Sequence, residues 1–113
     1  MNKIVLALAL VIVSSSVYSQ WSKINSFPNI YVNDLFVSGN TIYAVTANNG
    51  IYRSTDSTAT WQQFNNGLNN AQAVRCSQII QTGSILYTAT EDGIYRSTDN
   101  AASWVKKSDG III

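Results

Sequence analysis

The sequence predicts an all-β protein built from two four-stranded antiparallel units, and three observations predict it. The stretch Gly-Ile-Tyr-Arg-Ser-Thr-Asp at residues 50–56 is repeated letter for letter at residues 93–99. Short runs of β-branched and aromatic residues alternate with Gly- and Asn-rich turns from residue 20 onward, the rhythm of strands joined by tight hairpins. No helical periodicity competes with that rhythm. A catalytic site is normally built once whereas a structural unit can be stacked many times, so the duplication points to architecture before chemistry.

The chain opens on a different pattern. Lys3 is the sole charge of residues 1–19, an apolar run covers residues 4–13, and small and polar side chains lead to Val17-Tyr18-Ser19. A positive start, an apolar stretch of about ten residues and a small-residue cut are the marks of a secretory signal peptide. The run is shorter than the roughly 20 residues a bilayer span needs. Residues 1–19 are therefore read as a removable leader, with Gln20 as the new N-terminus and a periplasmic, cell-surface or extracellular location.

The elements follow in order. "VNDLFV" is a strand, "SGN" a turn, "TIYAVT" a strand, "ANNG" a turn, "IYRST" a strand, "DSTAT" a turn, "WQQF" a strand and "NNGLNN" the exit turn. The second copy repeats the series: Trp61 pairs with Trp104, Gly67 with Gly110 and Leu68 with Ile111, all at one spacing. Tyr43 pairs with Tyr87 only if the second copy has lost one residue before Gly93, which places a loop there. In "TIYAVT", Ile42 and Ala44 point one way and Tyr43 and Val45 the other, so both faces are apolar. A lone antiparallel sheet alternates apolar and polar; a sheet stacked between similar sheets does not need to.

Four strands in a period of about 40–45 residues match a β-propeller blade. Blades are predicted at residues 32–68 and 74–113, the latter ending after its outer strand. Residues 20–31 are predicted to be the outer strand of a further blade, because Trp21 stands where Trp61 and Trp104 stand. Closed rings have about 4–8 blades, so two blades make an incomplete ring. The chain is read as a fragment of a longer propeller, with ring closure by self-association as the alternative.

Residues 54–61, "STDSTATW", and 97–104, "STDNAASW", resemble the Asp box, Ser-x-Asp-x-Gly-x-Thr-Trp, of the BNR-repeat propellers. That family includes sialidases, sortilin-type receptors, xyloglucan-cleaving glycosidases and photosystem assembly factors. The resemblance covers both copies. It implies a folding device between the third and fourth strands of each blade. Asp56 and Asp99 would accept backbone N–H bonds, and Ser54, Ser97, Thr60 and Ser103 would be the other polar box residues. Trp61 and Trp104 would pack over the turn. Asp organises such turns by accepting from backbone just downstream. The box glycine is replaced by Thr58 and Ala101; if that position needs a positive φ, the side chain costs about 1 kcal/mol or more.

Composition narrows the chemistry. The net charge is +1 and only 12% of residues are charged, which gives no field for nucleic acid or an anionic membrane. Histidine is absent, which removes the commonest general base and metal ligand. Cys76 is the sole cysteine and reads as a small buried apolar side chain in a strand. Arg53 and Arg96 obey the repeat, as framework residues do, whereas catalytic residues should break it. They are read as packing between blades or pairing with an acid rather than as a sialidase carboxylate clamp. Of the acids Asp34, Asp56, Glu91, Asp92, Asp99 and Asp109, none forms a recognisable glycosidase pair. One carboxylate per box is too few oxygens for calcium. No catalytic, metal or cofactor residue is assigned.

Uniform framework with variable loops is how binding surfaces are made. Asn48 and Asn49 in the first copy and Glu91 and Asp92 in the second, beside the identical stretch, are the candidate ligand loops, on the end of the ring that also carries residues 65–70. The expected function is a secreted, non-enzymatic scaffold for protein or glycan, similar to exported bacterial proteins. The competing expectation is the N-terminal part of a glycoside hydrolase, sialidase-like or xyloglucanase-like, whose active site lies in other blades.

Overall fold

A computed structural model of the chain describes residues 21–107. The leader, Gln20, Asp109, Gly110 and Ile111 lie outside the described residues. The fold is all-β, as the sequence predicts. Strands β1 (Val32–Ser38), β2 (Thr41–Thr46), β3 (Ile51–Ser54) and β4 (Gln62–Gln63) form one antiparallel sheet in sequential order. Strands β5 (Cys76–Thr82), β6 (Ile85–Thr90), β7 (Gly93–Ser97) and β8 (Val105–Lys106) form a second sheet of the same order. Among the described residues no helix is long and apolar enough to cross a membrane.

Corresponding turns close both sheets. The β1–β2 and β5–β6 hairpins pair Ser38 with Thr41 and Thr82 with Ile85, leaving two-residue loops that begin at Gly39 and Gly83. These glycines have φ of 60° and 61°, the left-handed first position that a II′ hairpin turn requires. The first strand of each sheet, β1 and β5, carries a register shift at its start, between Val32 and Asp34 and between Cys76 and Gln78. Such a bulge re-aims its extra residue. In the first sheet it turns Asn33 outward, where its Nδ2 donates to the Cys76 carbonyl at 2.8 Å. Asp34 Oδ2 next to it accepts from the Ile79 N–H at 3.1 Å, so β1 and β5 are tied directly.

The sheets stack by unlike faces. In the first sheet, Phe36, Tyr43 and Arg53 are cross-strand partners, as are Val45 and Ile51, and this face supplies Phe36, Tyr43, Val45 and Ile51 to the core. The second sheet meets it with Ile79, Leu86 and Tyr95; Ile79, Thr88 and Tyr95 are cross-strand partners. Leu68, Ala73, Cys76, Ala101 and Trp104 complete the core. The face-by-face expectation holds for the first sheet: Tyr43, Ala44 and Val45 are all buried, although they alternate in direction. Buried polar groups are satisfied as they must be: Thr46 Oγ1 donates to the Gly50 carbonyl at 2.7 Å and Thr90 Oγ1 to the Gly93 carbonyl at 2.8 Å.

Residues 21–31 contain no strand, which corrects the outer strand expected over 20–31. An outer strand needs a third strand to pair with, none precedes it among the described residues, and Pro28 removes one donor. The segment is instead held by side chains. Ser26 Oγ donates to the Thr58 carbonyl, and the Phe27 ring stands edge-on to Trp61 at 4.8 Å and to Tyr52 at 5.2 Å.

Candidate functional site

The two aspartate turns are near-copies. Ser54 Oγ donates to Asp56 Oδ1 at 3.0 Å and accepts the Thr58 N–H at 3.0 Å. Asp56 then accepts the Thr60 N–H at 2.9 Å and the Thr60 hydroxyl at 2.5 Å. In the second sheet Ser97 Oγ donates to Asp99 Oδ1 at 2.8 Å and accepts the Ala101 N–H at 2.8 Å. Asp99 accepts the Ser103 N–H at 2.9 Å and the Ser103 hydroxyl at 2.6 Å. Both serines are buried, so each turn is anchored from inside the sheet. These bonds leave the carboxylates engaged in folding the chain. They also hold both carboxyls below the usual range, with the Thr60 hydroxyl the leading cause at Asp56 and the Ser103 hydroxyl at Asp99.

At the apex of each turn two residues are left-handed: Ser57 and Thr58 at φ 59° and 72°, Asn100 and Ala101 at 59° and 75°. With the Ala59 N–H on the Asp56 carbonyl at 3.2 Å and Ala102 on Asp99 at 3.1 Å, these have the two positive φ values of type I′ turns. Positive φ at Thr58 and Ala101 is therefore real, and the strain is retained rather than relieved by a shifted turn. A β-branched residue is the costlier occupant. Thr58→Gly is expected to stabilise the protein by about 0.5–1 kcal/mol, the left-handed cost less the extra freedom of glycine when unfolded. Ala101→Gly should gain less, because the Ala101 methyl is fully buried and burial of one such group is worth about 0.8 kcal/mol. Urea midpoints of the two variants check this; equal gains, or a loss at Thr58, would refute it.

The tryptophans differ more than the turns do. Trp104 is 3% exposed and bonds to the chain that leaves the first sheet. Its Nε1 donates to the Phe64 carbonyl at 3.0 Å and its backbone N–H to Asn66 at 2.8 Å. The ring shares the buried core with Ala101 of its own turn and also ties the second sheet to the first. Trp61 lies under Phe27, half-buried, and its indole N–H has no acceptor although the atom is out of reach of solvent. Arg53 also bridges the sheets: its Nη1 donates to the Asn100 carbonyl at 2.9 Å and its guanidinium sits 3.9 Å over the Phe64 ring. That is the packing role expected of it. Arg96, its counterpart, has no partner among the described residues.

The candidate ligand loops lie at the opposite end of the sheets from the aspartate turns and converge with residues 65–70. Asn65 Nδ2 donates to the Asn49 carbonyl at 3.0 Å, and Asn70 Nδ2 reaches Asp92 Oδ2 at 3.4 Å. Asp92 also accepts the Tyr95 hydroxyl at 2.5 Å and lies 3.5 Å from Lys106 Nζ. Glu91 pairs with Arg75 at 3.1 Å, both exposed. In the first sheet the corresponding positions are neutral: Gln63 Nε2 donates to the Asn49 carbonyl at 2.9 Å and touches the Tyr52 hydroxyl at 3.3 Å. Asn49 and Gln63 have become Asp92 and Lys106, a matched exchange of amides for an ion pair. Asn48 is exposed at the loop tip. Asp34 and Asn33, which tie the sheets, and Lys106 and Tyr95, which hold Asp92, went unread in the sequence. Comparison of the columns across the two copies contained the signal for Lys106.

These contacts set a pH profile. The Tyr95 hydroxyl is the leading cause holding the Asp92 carboxyl low, while burial, then the bond to Asp92, pushes the Tyr95 phenol up to about 12. Depressed carboxyls contribute stability that is present above their unfolded pKa, about 4, and lost as pH falls through the folded value. The raised phenol contributes stability that is present below its unfolded pKa, about 10, and lost as pH rises toward the folded value. Thermal melts from pH 2 to 11 should therefore show a plateau between about pH 5 and 10 with a fall on both sides. Tyr95→Phe should flatten the alkaline fall.

Cys76 is buried, its Sγ against the Ala73 carbonyl at 3.5 Å, and burial pushes the thiol up to about 11, so it is protonated and inert at neutral pH. Among the described residues no three His, Cys, Asp or Glu side chains converge as a metal site. Comparison of the chain with protein-family models and with curated proteins finds no match to either.

Proposed function

We infer that the chain is a secreted, non-enzymatic segment of an Asp-box β-propeller, acting as a scaffold that presents loops to a protein or glycan. The observation that carries this reading is the stacking of two four-stranded sheets by unlike faces, each with a Ser-x-Asp turn at the same corner. A stack of that kind can be continued by adding sheets, as a propeller does. The leader-like first 19 residues support export. Framework residues repeat while the loops at one end change from amides to acids, which supports a binding role for Asn48, Asn49, Glu91 and Asp92.

Isothermal titration with sialylated and xyloglucan oligosaccharides tests it, with product analysis of the same samples. Saturable binding with the sugar recovered intact is expected. Asn48→Ala and Glu91→Ala should weaken it by several-fold and leave the melting temperature unchanged, since Asn48 is a loop tip and the Glu91 ion pair is exposed. Release of sugar products would overturn the non-enzymatic reading in favour of a glycoside hydrolase.

A further inference from the structure

The outer face of the second sheet repeats a surface that the first sheet buries. In the first sheet Phe36, Tyr43, Arg53 and Gln62 form one cross-strand row, in which Tyr43 is buried, Phe36 and Arg53 are part-buried and Gln62 is exposed. The corresponding row of the second sheet is Ile80, Tyr87, Arg96 and Val105. Here Ile80 and Val105 are 56% and 57% exposed. The groups that seal the inter-sheet contact inside the chain are unmatched at its two ends. Arg53 is answered by the Asn100 carbonyl in the second turn; Arg96 has no answering group among the described residues. Trp104 Nε1 is answered by the Phe64 carbonyl; Trp61 Nε1 has none. Phe64 and Lys107 are equivalent, because each donates its N–H to the first or second residue of its third strand, Ile51 at 2.8 Å and Ile94 at 2.7 Å.

We propose that the Ile80–Tyr87–Arg96–Val105 row is a docking surface for the first sheet of a second copy of this chain. The docked copy presents its Asp56 turn to Arg96 and its Trp61 indole N–H to the Lys107 carbonyl. The surface fits a copy of this chain because the interface is already written within it: residues 50–56 and 93–99 are identical, so a copy's Ser57 carbonyl stands where Asn100 stands. The contact is head-to-tail, and such contacts propagate until they close into a ring or continue as a filament. Ser26 and Phe27 lie on Thr58 and Trp61, on the surface the incoming copy needs, so the segment over residues 21–31 must be displaced when the copies join. That segment covers Trp61 without giving its N–H an acceptor, and the docked carbonyl does.

The proposal rests on the stacked-scaffold reading, but its test is independent of any ligand. Sedimentation velocity of the full chain between 1 and 200 µM is expected to show mass rising with concentration beyond the monomer. Ile80→Glu and Arg96→Glu should each shift the association midpoint at least 30-fold upward with the melting temperature of the dilute protein unchanged. Ser84→Glu, on the β5–β6 turn, should leave association as it is. Trp61→Phe should weaken association while preserving the monomer, since it removes a donor that the monomer does not use. A monomer at every concentration would overturn the proposal, as would association indifferent to Ile80→Glu and Arg96→Glu. Either result would leave the sugar titration, and with it the scaffold reading, to stand or fall separately.

Discussion

Replacing Trp104 with alanine is expected to cost about 3–5 kcal/mol, the range for emptying a large buried aromatic site. A domain of this size has about 5–15 kcal/mol in total, so the variant should be largely unfolded at modest denaturant. The ring is 3% exposed in the core shared by both sheets, and its loss also strands the Phe64 carbonyl that its N–H satisfies. Trp61→Ala should cost about 2 kcal/mol or less, because that ring is half-buried and its N–H is already without an acceptor. The phenylalanine variants separate area from hydrogen bonding. Trp104→Phe leaves a part-buried carbonyl unpaired and should lose about 1–2 kcal/mol, whereas Trp61→Phe removes an unpaired donor and should be close to neutral. Urea unfolding of the four variants measures this, and equal costs at the two positions would refute the asymmetry.

That asymmetry marks what was legible in the sequence. Identity of residues 50–56 with 93–99 foretells two equivalent sheets, the Gly and Asn punctuation foretells the β1–β2 and β2–β3 hairpins and their copies, and the aspartates foretell the turns into β4 and β8, because turn chemistry and strand alternation are local. It also places Trp61 and Trp104 at the same corner. Their surroundings are another matter, since burial is decided by what lies across the interface: Phe64 and Asn66 for one, Phe27 for the other. The segment over residues 21–31 shows the same limit. Trp21 precedes the first sheet as Trp61 precedes the second, yet a strand exists only when a neighbour offers a ladder, and that condition is not local. The bulge residue Asn33 and its neighbour Asp34 read as ordinary strand positions, and only the register reveals that they reach the second sheet. At the loop end, the joint change of Asn49 and Gln63 to Asp92 and Lys106 could be seen by aligning the copies. Its meaning required knowing that β3 and β4 set those positions together.

Gly67→Ala is expected to cost about 2–5 kcal/mol, from roughly 1–2 for a left-handed backbone and 1–3 for overpacking. Gly67 has φ of 104°, and a methyl there would meet the Trp104 carbonyl oxygen at 2.0 Å and its backbone N at 3.0 Å. Neither is the end of a flexible side chain. The connection leaving the first sheet passes directly over the backbone of the second at this point, and the Trp104 N–H donates to Asn66 one residue earlier. Only a residue without a Cβ lets that bond form. The added methyl must push the two sheets apart, so the damage should appear at their shared contacts and not within either sheet. Amide exchange gives the decisive pattern: the Trp104 and Ile79 amides, which donate across the interface, should lose protection. Amides paired inside each sheet, such as Phe64 on Ile51 and Lys107 on Ile94, should keep more of theirs. Uniform loss would mean that the sheets fold as one inseparable unit, and unchanged stability would mean that the close approach at Gly67 does not hold them together.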